Sequence, residues 1–321
     1  MRLEYNPRNV LRAVPAALLQ DYFEQRRLLA DFAWVSLDGD VEPLYEAWMA
    51  LPPLDRQVVS VDFQRMAGLC SKQGIQTLLD AGRSVNSDVV PIMTEGKSNV
   101  EKVFRVLLAK PDVFRVASQF SWADNLTRYW HRRQDLPQVA PDLGDDAQRE
   151  LKRAISDYYK KNQDRGEYCH IEVYPRGTAH YVMIYLADYP AAVVCFENSD
   201  QLKRSLQQQA FDVVFIFDGT RGRLDLYAEG GCELRKELAQ RFARHILRQE
   251  IALDTIAGPV FDLERLKDPD FRFKIEPSDG LAALSLKSIR LAAHDREPGV
   301  ITFGRLPRSK NGSCPKSVIA F

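Results

Sequence analysis

The chain has 321 residues and a formal net charge of zero, because 44 Lys and Arg side chains balance 44 Asp and Glu side chains. A neutral chain has no overall field that attracts phosphate, so a nucleic-acid partner would have to bind a local patch. The composition, 45% hydrophobic and 27% charged, excludes a fibrous or wholly disordered protein. We expect no membrane contact and a cytoplasmic location, because no stretch has the apolar length of a membrane span or an export signal.

The first 135 residues carry the apolar spacing of amphipathic helices. In 16–34 the apolar side chains recur at steps of three and four residues, which predicts a helix that begins after Pro15. Ser98 with a glutamate three residues later predicts a capped helix start, and Pro111 is expected to divide that helix. The predicted helices of this part are 16–34, 41–53, 54–82 with a break near Gly74, and 98–130 with a break at Pro111.

A loop rich in proline and acidic residues at 136–145 is predicted to link two domains, because the pattern changes beyond it. Short glycine-containing turns separate the strand-like runs that follow, and such turns join antiparallel strands. The predicted strands are 168–174, 179–187, 191–197, 211–217, 222–228, 284–292 and 299–304, with helices at 146–166, 199–209 and 232–249. The fold class is therefore α+β, with a helical N-terminal domain at 1–135, a mainly antiparallel sheet with flanking helices at 146–304, and a basic, flexible tail at 305–321.

Five cysteines are scattered along the chain and none forms a CxxC pair, so we predict reduced thiols and no metal bound through cysteine. They are Cys70, Cys169, Cys195, Cys232 and Cys314. The common signatures of nucleotide binding, serine hydrolysis and zinc catalysis are absent from the sequence, and we predict no cofactor.

Two histidines lie among the predicted strands, which raises the question of a metal site. Successive side chains of a strand point to opposite faces, so Cys169 and His170 cannot share a face. A four-residue loop would set Val173 opposite His180 and place His180 on the apolar face, away from His170. A loop longer or shorter by one residue would bring the two histidines together. We favour the first arrangement, which leaves no two-histidine site.

Four acidic residues form the candidate catalytic set. Asp212, Asp218 and Asp225 lie around one predicted hairpin, and Glu197 ends a neighbouring strand. Carboxylates in such positions could hold a divalent cation for phosphodiester chemistry. The sequence lacks the ExK pattern of a restriction-type nuclease core, and Asp218, just before Gly219, is explained more simply as a turn residue that bonds its own backbone.

Two segments are candidate nucleic-acid surfaces. Between 101 and 133 seven basic residues accompany three acidic ones, and the end of this segment adds aromatic rings that can stack on bases. The candidate contacts are Arg128, Tyr129, Trp130, Arg132 and Arg133 in this segment, and Arg241, Arg244 and Arg248 on a second basic helix face. In the alternative interpretation, Trp130 packs in the core and the arginines form an ordinary solvated helix face.

Four segments resemble a family of bacterial proteins that are scattered in accessory genomes: YNPRNVLRAVPAALLQDYFEQR, GRLDLYAEGGCELRKEL, FDLERLKDPDFRF and DGLAALSLKSIRLA. The resemblance covers most of the chain and implies a bacterial cytoplasmic protein from mobile or phage-defence gene clusters. It implies no catalytic motif and no site residue. After Phe303 the chain departs from the continuing strand and final helix that the resemblance implies.

These patterns favour a non-enzymatic binding protein, such as a regulatory or accessory subunit, that contacts a protein partner or nucleic acid. The alternative is a metal-dependent enzyme that acts on nucleic acid through the acidic residues near 197–225. The two hypotheses differ in geometry, because a shared cation requires the carboxylates of Asp212, Asp218 and Asp225 to converge within about 5 Å. The sequence leaves the oligomeric state open.

Overall fold

The computed structural model describes residues 5–34, 40–126, 130–196, 201–253, 288–292 and 300–304. The chain divides into two compact units, Met1–Gly258 and Pro259–Phe321. Within the described ranges, no helix combines the length and the apolar character needed to cross a membrane.

Most described residues of the N-terminal part are helical, as their apolar spacing predicts, although the helices Pro7–Ala13 and Val90–Thr94 lie outside the predicted helices. The helices are α1 (Pro7–Ala13), α2 (Ala16–Gln25), α3 (Glu42–Met49), α4 (Pro53–Leu69), α5 (Lys72–Ser84), α6 (Val90–Thr94), α7 (Asn99–Ala109) and α8 (Pro111–Asn125). Ser71 and Ser98 precede α5 and α7, and each side chain accepts a hydrogen bond from a backbone N–H of the first turn. The predicted breaks near Gly74 and at Pro111 are confirmed as the α4–α5 and α7–α8 junctions.

Two predicted helices end earlier than their spacing suggests. Helix α2 stops after Gln25 because Arg27 and Leu29 have φ angles of 55° and 56°, a left-handed conformation that cannot continue an α-helix. The predicted helix 98–130 also stops early, since Trp130–Arg133 forms a strand, β1.

One five-stranded antiparallel sheet dominates the rest of the first unit. Its other strands are β2 (Cys169–Arg176), β3 (Ala179–Phe196), β4 (Leu202–Asp218) and β5 (Arg223–Ala228), in the spatial order β1-β5-β4-β3-β2. Helix α9 (Asp145–Gln163) precedes β2, and helix α10 (Cys232–Phe242) continues into a π-helical segment (Ala243–Leu247). In the second unit, β6 (Ser288–Ala292) and β7 (Val300–Gly304) form an antiparallel pair within the predicted strands 284–292 and 299–304. The predicted α+β class is confirmed.

The predicted helix at 199–209 is wrong in its described part. Residues 202–208 instead belong to β4 and pair one by one with 190–196 of β3. Leu, Lys, Arg and Gln in this segment are good helix formers, but helix propensity is a weak preference that cross-strand pairing overrides.

Helices cover both faces of the sheet. On one face, Val182 and Phe215 belong to a buried cluster that includes the apolar residues of α9 and α10. On the other face, Met183 and Val214 join the core formed by the N-terminal helices. Alternation of side chains along β3 and β4 therefore supplies two separate cores.

The predicted linker at 136–145 lies inside the first compact unit, between β1 and α9. Strand β1, on one side of the linker, pairs with β5 on the other side. The separate stability of the two sides stays a prediction. The predicted tail at 305–321 lies outside the described residues.

Candidate functional site

The register of β2 and β3 decides whether the two histidines share a face. The strands are joined by a two-residue turn, and Pro175, not Val173, lies opposite His180. Because the register differs from the predicted one by two residues, each side chain stays on its predicted face of the sheet. His180 therefore shares a face with Cys169, whereas His170 lies on the other face. The prediction that the histidines lie on opposite faces is confirmed. Among the residues described, no group of three His, Cys, Asp or Glu side chains could hold a metal ion.

The cysteines that the structure describes are free, as predicted: Cys70, Cys169, Cys195 and Cys232. Burial raises the pKa of Cys70 to about 12 and the pKa of Cys169 to about 11. Both thiols therefore stay protonated at neutral pH and are weak nucleophiles. Cys314 lies outside the described residues.

Two of the candidate catalytic acids stabilise the local structure. Asp218 accepts hydrogen bonds from the backbone N–H and the hydroxyl of Thr220 at 3.1 and 2.6 Å, which confirms its role in the turn. The bonds from Thr220 hold the pKa of Asp218 below its usual range. Asp225 is buried on β5 and forms an ion pair with Arg132. Glu197 lies outside the described residues.

Asp212 lies far from Asp218, because Asp218 is the last residue of β4 and Asp212 comes earlier on the same strand. The two are six residues apart on one strand, or about 20 Å at roughly 3.3 Å per residue, so they do not converge on one cation. Asp212 instead lines a cleft of about 480 Å³ between α4, α8 and the sheet. The other lining residues are Arg65, Arg115, Ser118, Gln119, Trp122, Glu172 and Tyr185. Within the described ranges the Asp212 carboxylate makes no hydrogen bond and no ion pair.

Gln119 organises one wall of this cleft. Its Nε2 donates to Glu172 Oε2 at 2.6 Å and to Tyr185 Oη at 3.1 Å, so the carboxylate sets the orientation of the amide. Tyr185 also donates to Glu172 Oε2 at 3.3 Å. The Oε1 atom of Gln119 is buried and has no hydrogen-bond partner in the described part of the protein. Buried acceptors are normally satisfied, so this oxygen is a candidate contact for a ligand donor.

The Asp212→Asn substitution is expected to raise the free energy of unfolding at neutral pH by about 1–2 kcal/mol, less than the pKa shift alone implies, because Asp212 is only partly buried and solvent screens its charge. Burial, with a smaller effect of the Glu229 carboxylate, raises the pKa of Asp212 to about 6. Since an aspartate in an unfolded chain has a pKa of about 3.9, the folded state loses stability as the pH rises through about 4 to 6. Asparagine removes this loss. Urea denaturation should show equal stabilities of the two proteins below about pH 4 and a more stable variant above about pH 7. Equal stabilities in both pH ranges would contradict the raised pKa of Asp212.

The aromatic and basic segment that ends at 133 is largely engaged in the fold. Trp130 donates its ring N–H to a backbone carbonyl at 2.8 Å and packs on Tyr227 with ring centroids 5.7 Å apart. Arg133, expected on an exposed surface, is 1% exposed and binds the carboxylate of Asp135 at 2.6 Å. Two further candidate contacts, Arg128 and Tyr129, lie outside the described residues. Together with the Arg132–Asp225 ion pair, these contacts agree with the alternative interpretation of Trp130 as a packed residue.

The second basic face is balanced by acidic partners. Each of its three arginines forms an ion pair with a carboxylate. The pairs are Arg241–Glu237 at 2.9 Å, Arg244–Glu250 at 2.6 Å and Arg248–Asp142 at 3.0 Å. Paired arginines release fewer counterions from a phosphate backbone, which weakens the case for this face as a nucleic-acid surface.

A two-stranded arm extends beyond the sheet. We define the arm as 190–196 of β3 and 202–208 of β4, which pair with each other beyond a register shift between Ala187 and Pro190. Strand β2 pairs only with 179–186 of β3, and β5 pairs only with 213–218 of β4. In the described chain, both outer edges of the arm are therefore unpaired.

One face of the arm is apolar and exposed. The cross-strand pairs on this face are Phe196–Leu202, Val194–Arg204 and Ala192–Leu206. Side chains two residues apart on a strand share a face, so these pairs form one continuous surface. Phe196 is 70% exposed, Leu202 57% and Leu206 84%. Arg204 lies at the centre and has neither an ion pair nor a hydrogen bond within the residues described.

In comparisons of the sequence with known protein families and with curated proteins, nothing matches this chain. The implied relation to bacterial accessory-genome proteins stays an expectation from the sequence. The arm and the cleft are the two candidate binding sites of the described chain.

Proposed function

We propose that this chain is a non-enzymatic binding protein, an accessory subunit that docks onto a partner protein through its arm. The observation that carries the proposal is the exposed apolar face of 190–196 and 202–208, with Arg204 at its centre and without an ion pair to any described residue. The partner surface that fits this face is an apolar patch with a carboxylate opposite Arg204. Aromatic and arginine side chains of this kind dominate the binding energy of many protein interfaces.

The arm lacks the support that a stable hairpin normally has. A two-stranded hairpin alone is at best marginally stable in water, and a third strand or a packed layer is usually needed. Full burial of a Leu or Phe side chain is worth about 1.5–3 kcal/mol, and most of that gain is not realised at Phe196 and Leu206. A partner that covers the apolar face would supply the missing packing.

The chemistry of the arm favours a protein partner of a different kind from the chain itself. Unpaired backbone groups along both edges need hydrogen bonds that a lipid interior does not provide. Lys203 and Arg204 are the only basic residues of the arm, too few for a phosphate-binding surface. Two copies of the arm meeting face to face would bring two unpaired Arg204 groups together, which like-charge repulsion disfavours.

The test uses Leu206→Glu and Arg204→Glu in the full chain. Partners are captured from cell extract of the source, identified, purified and measured for affinity. Each substitution is expected to lower the affinity for the partner about 30-fold or more, because the proposed complex buries the apolar face of the arm. Changing the partner's opposing carboxylate to lysine should restore binding to the Arg204→Glu variant.

The matched control is Leu54→Glu, because Leu54 is a leucine of similar exposure, 76%, on α4 and away from the arm. This variant should bind the partner like the unmodified chain. Equal losses from Leu54→Glu and Leu206→Glu would contradict docking through the arm. If the chain captured only nucleic acid, and nuclease removed it, the proposal of a protein partner would be overturned. If the chain associated with itself and Leu206→Glu abolished this association, the arm would bind a second copy of the chain.

A further inference from the structure

We infer that the cleft lined by Asp212, Gln119 and Arg65 binds a small zwitterion, a molecule that carries an ammonium group and a carboxylate, as free amino acids do. The inference is independent of the arm. It rests on groups of both signs that line one cleft and have no partner among the described residues.

Two acceptors in the cleft fit the ammonium group. The Asp212 carboxylate has no hydrogen bond or ion pair within the described ranges. The Gln119 Oε1 atom is buried and unpartnered among the described residues, while its Nε2 is held by Glu172 and Tyr185. Burial, with a smaller effect of the Glu229 carboxylate, raises the pKa of Asp212, which agrees with the lack of a positively charged partner for it among the described residues. An ammonium group has three donors, which is enough for the Asp212 carboxylate and for the Gln119 Oε1 atom.

One cationic side chain of the cleft is available for the carboxylate of the ligand. Arg65 on α4 is exposed and makes no ion pair or hydrogen bond in the described part of the chain. Arg115, the other arginine of the lining, is already engaged, because it donates to Tyr174 Oη at 3.0 Å and lies 3.6 Å from Glu172 Oε1. Arg65 is therefore the group that remains for the ligand's negative end.

The charges and the size of the cleft both fit such a ligand. Two arginines and two carboxylates line it, so a zwitterion preserves neutrality, whereas a simple cation or anion would leave one lining charge unpaired. The volume of about 480 Å³ lies in the range of small-molecule sites, about 300–1,000 Å³. Trp122, 37% exposed, offers an aromatic surface to the ligand's side chain.

The first experiment identifies the ligand with defined probes. The common amino acids, each at millimolar concentration, are screened by thermal shift of the full chain, and binding of the best probe is measured by calorimetry. Two blocked forms of that probe serve as controls. The N-acetyl amino acid lacks the ammonium group, and the C-terminal amide of the amino acid lacks the carboxylate. Each blocked form is expected to bind about tenfold more weakly or worse, since each loses a charge-assisted hydrogen bond.

The second experiment tests the residues. Asp212→Asn and Arg65→Gln are each expected to weaken binding of the same probe about tenfold or more, and Arg83→Gln, on an exposed arginine of α5 outside the cleft, should leave it unchanged. Thermal melts establish that each variant is folded. The inference is overturned if no amino acid binds, if both blocked forms bind as well as the parent probe, or if neither cleft variant loses affinity.

Discussion

Replacement of Arg176 by alanine is expected to lower the free energy of unfolding by about 3 kcal/mol, because it removes one partner of a largely buried ion-pair network. Arg176 ends β2 and is 11% exposed. Its guanidinium binds Asp80 of α5 at 3.2 Å and Asp124 of α8 at 2.8 Å, and it lies over the Phe120 ring at 4.9 Å. Alanine would leave both carboxylates poorly compensated and would detach the helical layer from this end of the sheet. Urea denaturation of the full chain measures the loss.

The control for this prediction is Arg83→Ala, because Arg83 pairs with the same Asp80 at 3.3 Å but is 72% exposed. An exposed pair on one helix contributes little, so we expect a change below about 0.5 kcal/mol. If both variants lost the same small amount, the Arg176 network would not be what holds α5 and α8 to the sheet.

Gly74→Ala is expected to destabilise the chain by about 2–3 kcal/mol, although alanine is normally favoured over glycine in helices. A Cβ atom at Gly74 would lie 2.1 Å from the Leu69 carbonyl oxygen and 2.6 Å from its Cα. Both are backbone atoms, so the tight junction between α4 and α5 would have to open. The expected result is a lower midpoint in thermal and urea denaturation.

The opposite sign is expected for Gly68→Ala, a matched glycine in the last turn of α4. A Cβ at Gly68 meets no atom within 4 Å, so the substitution should raise stability by about 0.5–1 kcal/mol through helix propensity alone. Destabilisation by both substitutions would mean that the junction tolerates no change, and stabilisation by both would contradict the close approach at Gly74.

The cleft shows how far the residues of a site can be read from a sequence. Asp212 was a candidate because of its position in a strand, but with Asp218 and Asp225 as expected partners. Its actual neighbours come from other elements: Gln119 lies 53 residues before Glu172 and 66 before Tyr185 in the chain. No local pattern encodes such a juxtaposition, since it depends on how α8 packs across the sheet.

The arm illustrates the same limit for secondary structure. The spacing of Leu202 and Leu206 suits one face of a helix as well as alternate positions of a strand. The structure selects the strand because each residue from 202 to 208 has a cross-strand partner in β3. That pairing involves contacts that appear only when the hairpin forms, so the local signal could not decide between the two.

Local sequence determined the features whose causes are themselves local. Proline and serine set the α4–α5 and α7–α8 junctions. Glycine-containing turns and alternating apolar and polar side chains predicted antiparallel strands. Alternation of side chains between the two faces of a strand separated His170 from His180. Tertiary structure alone decided that Trp130–Arg133 pairs with β5, that Arg133 is buried, and that the arm leaves an apolar face exposed. The physical reason is that local backbone preferences are worth tenths of a kcal/mol per residue. Burial of one large apolar side chain between distant segments is worth about 1.5–3 kcal/mol, and each cross-strand pair adds about 0.2–1 kcal/mol.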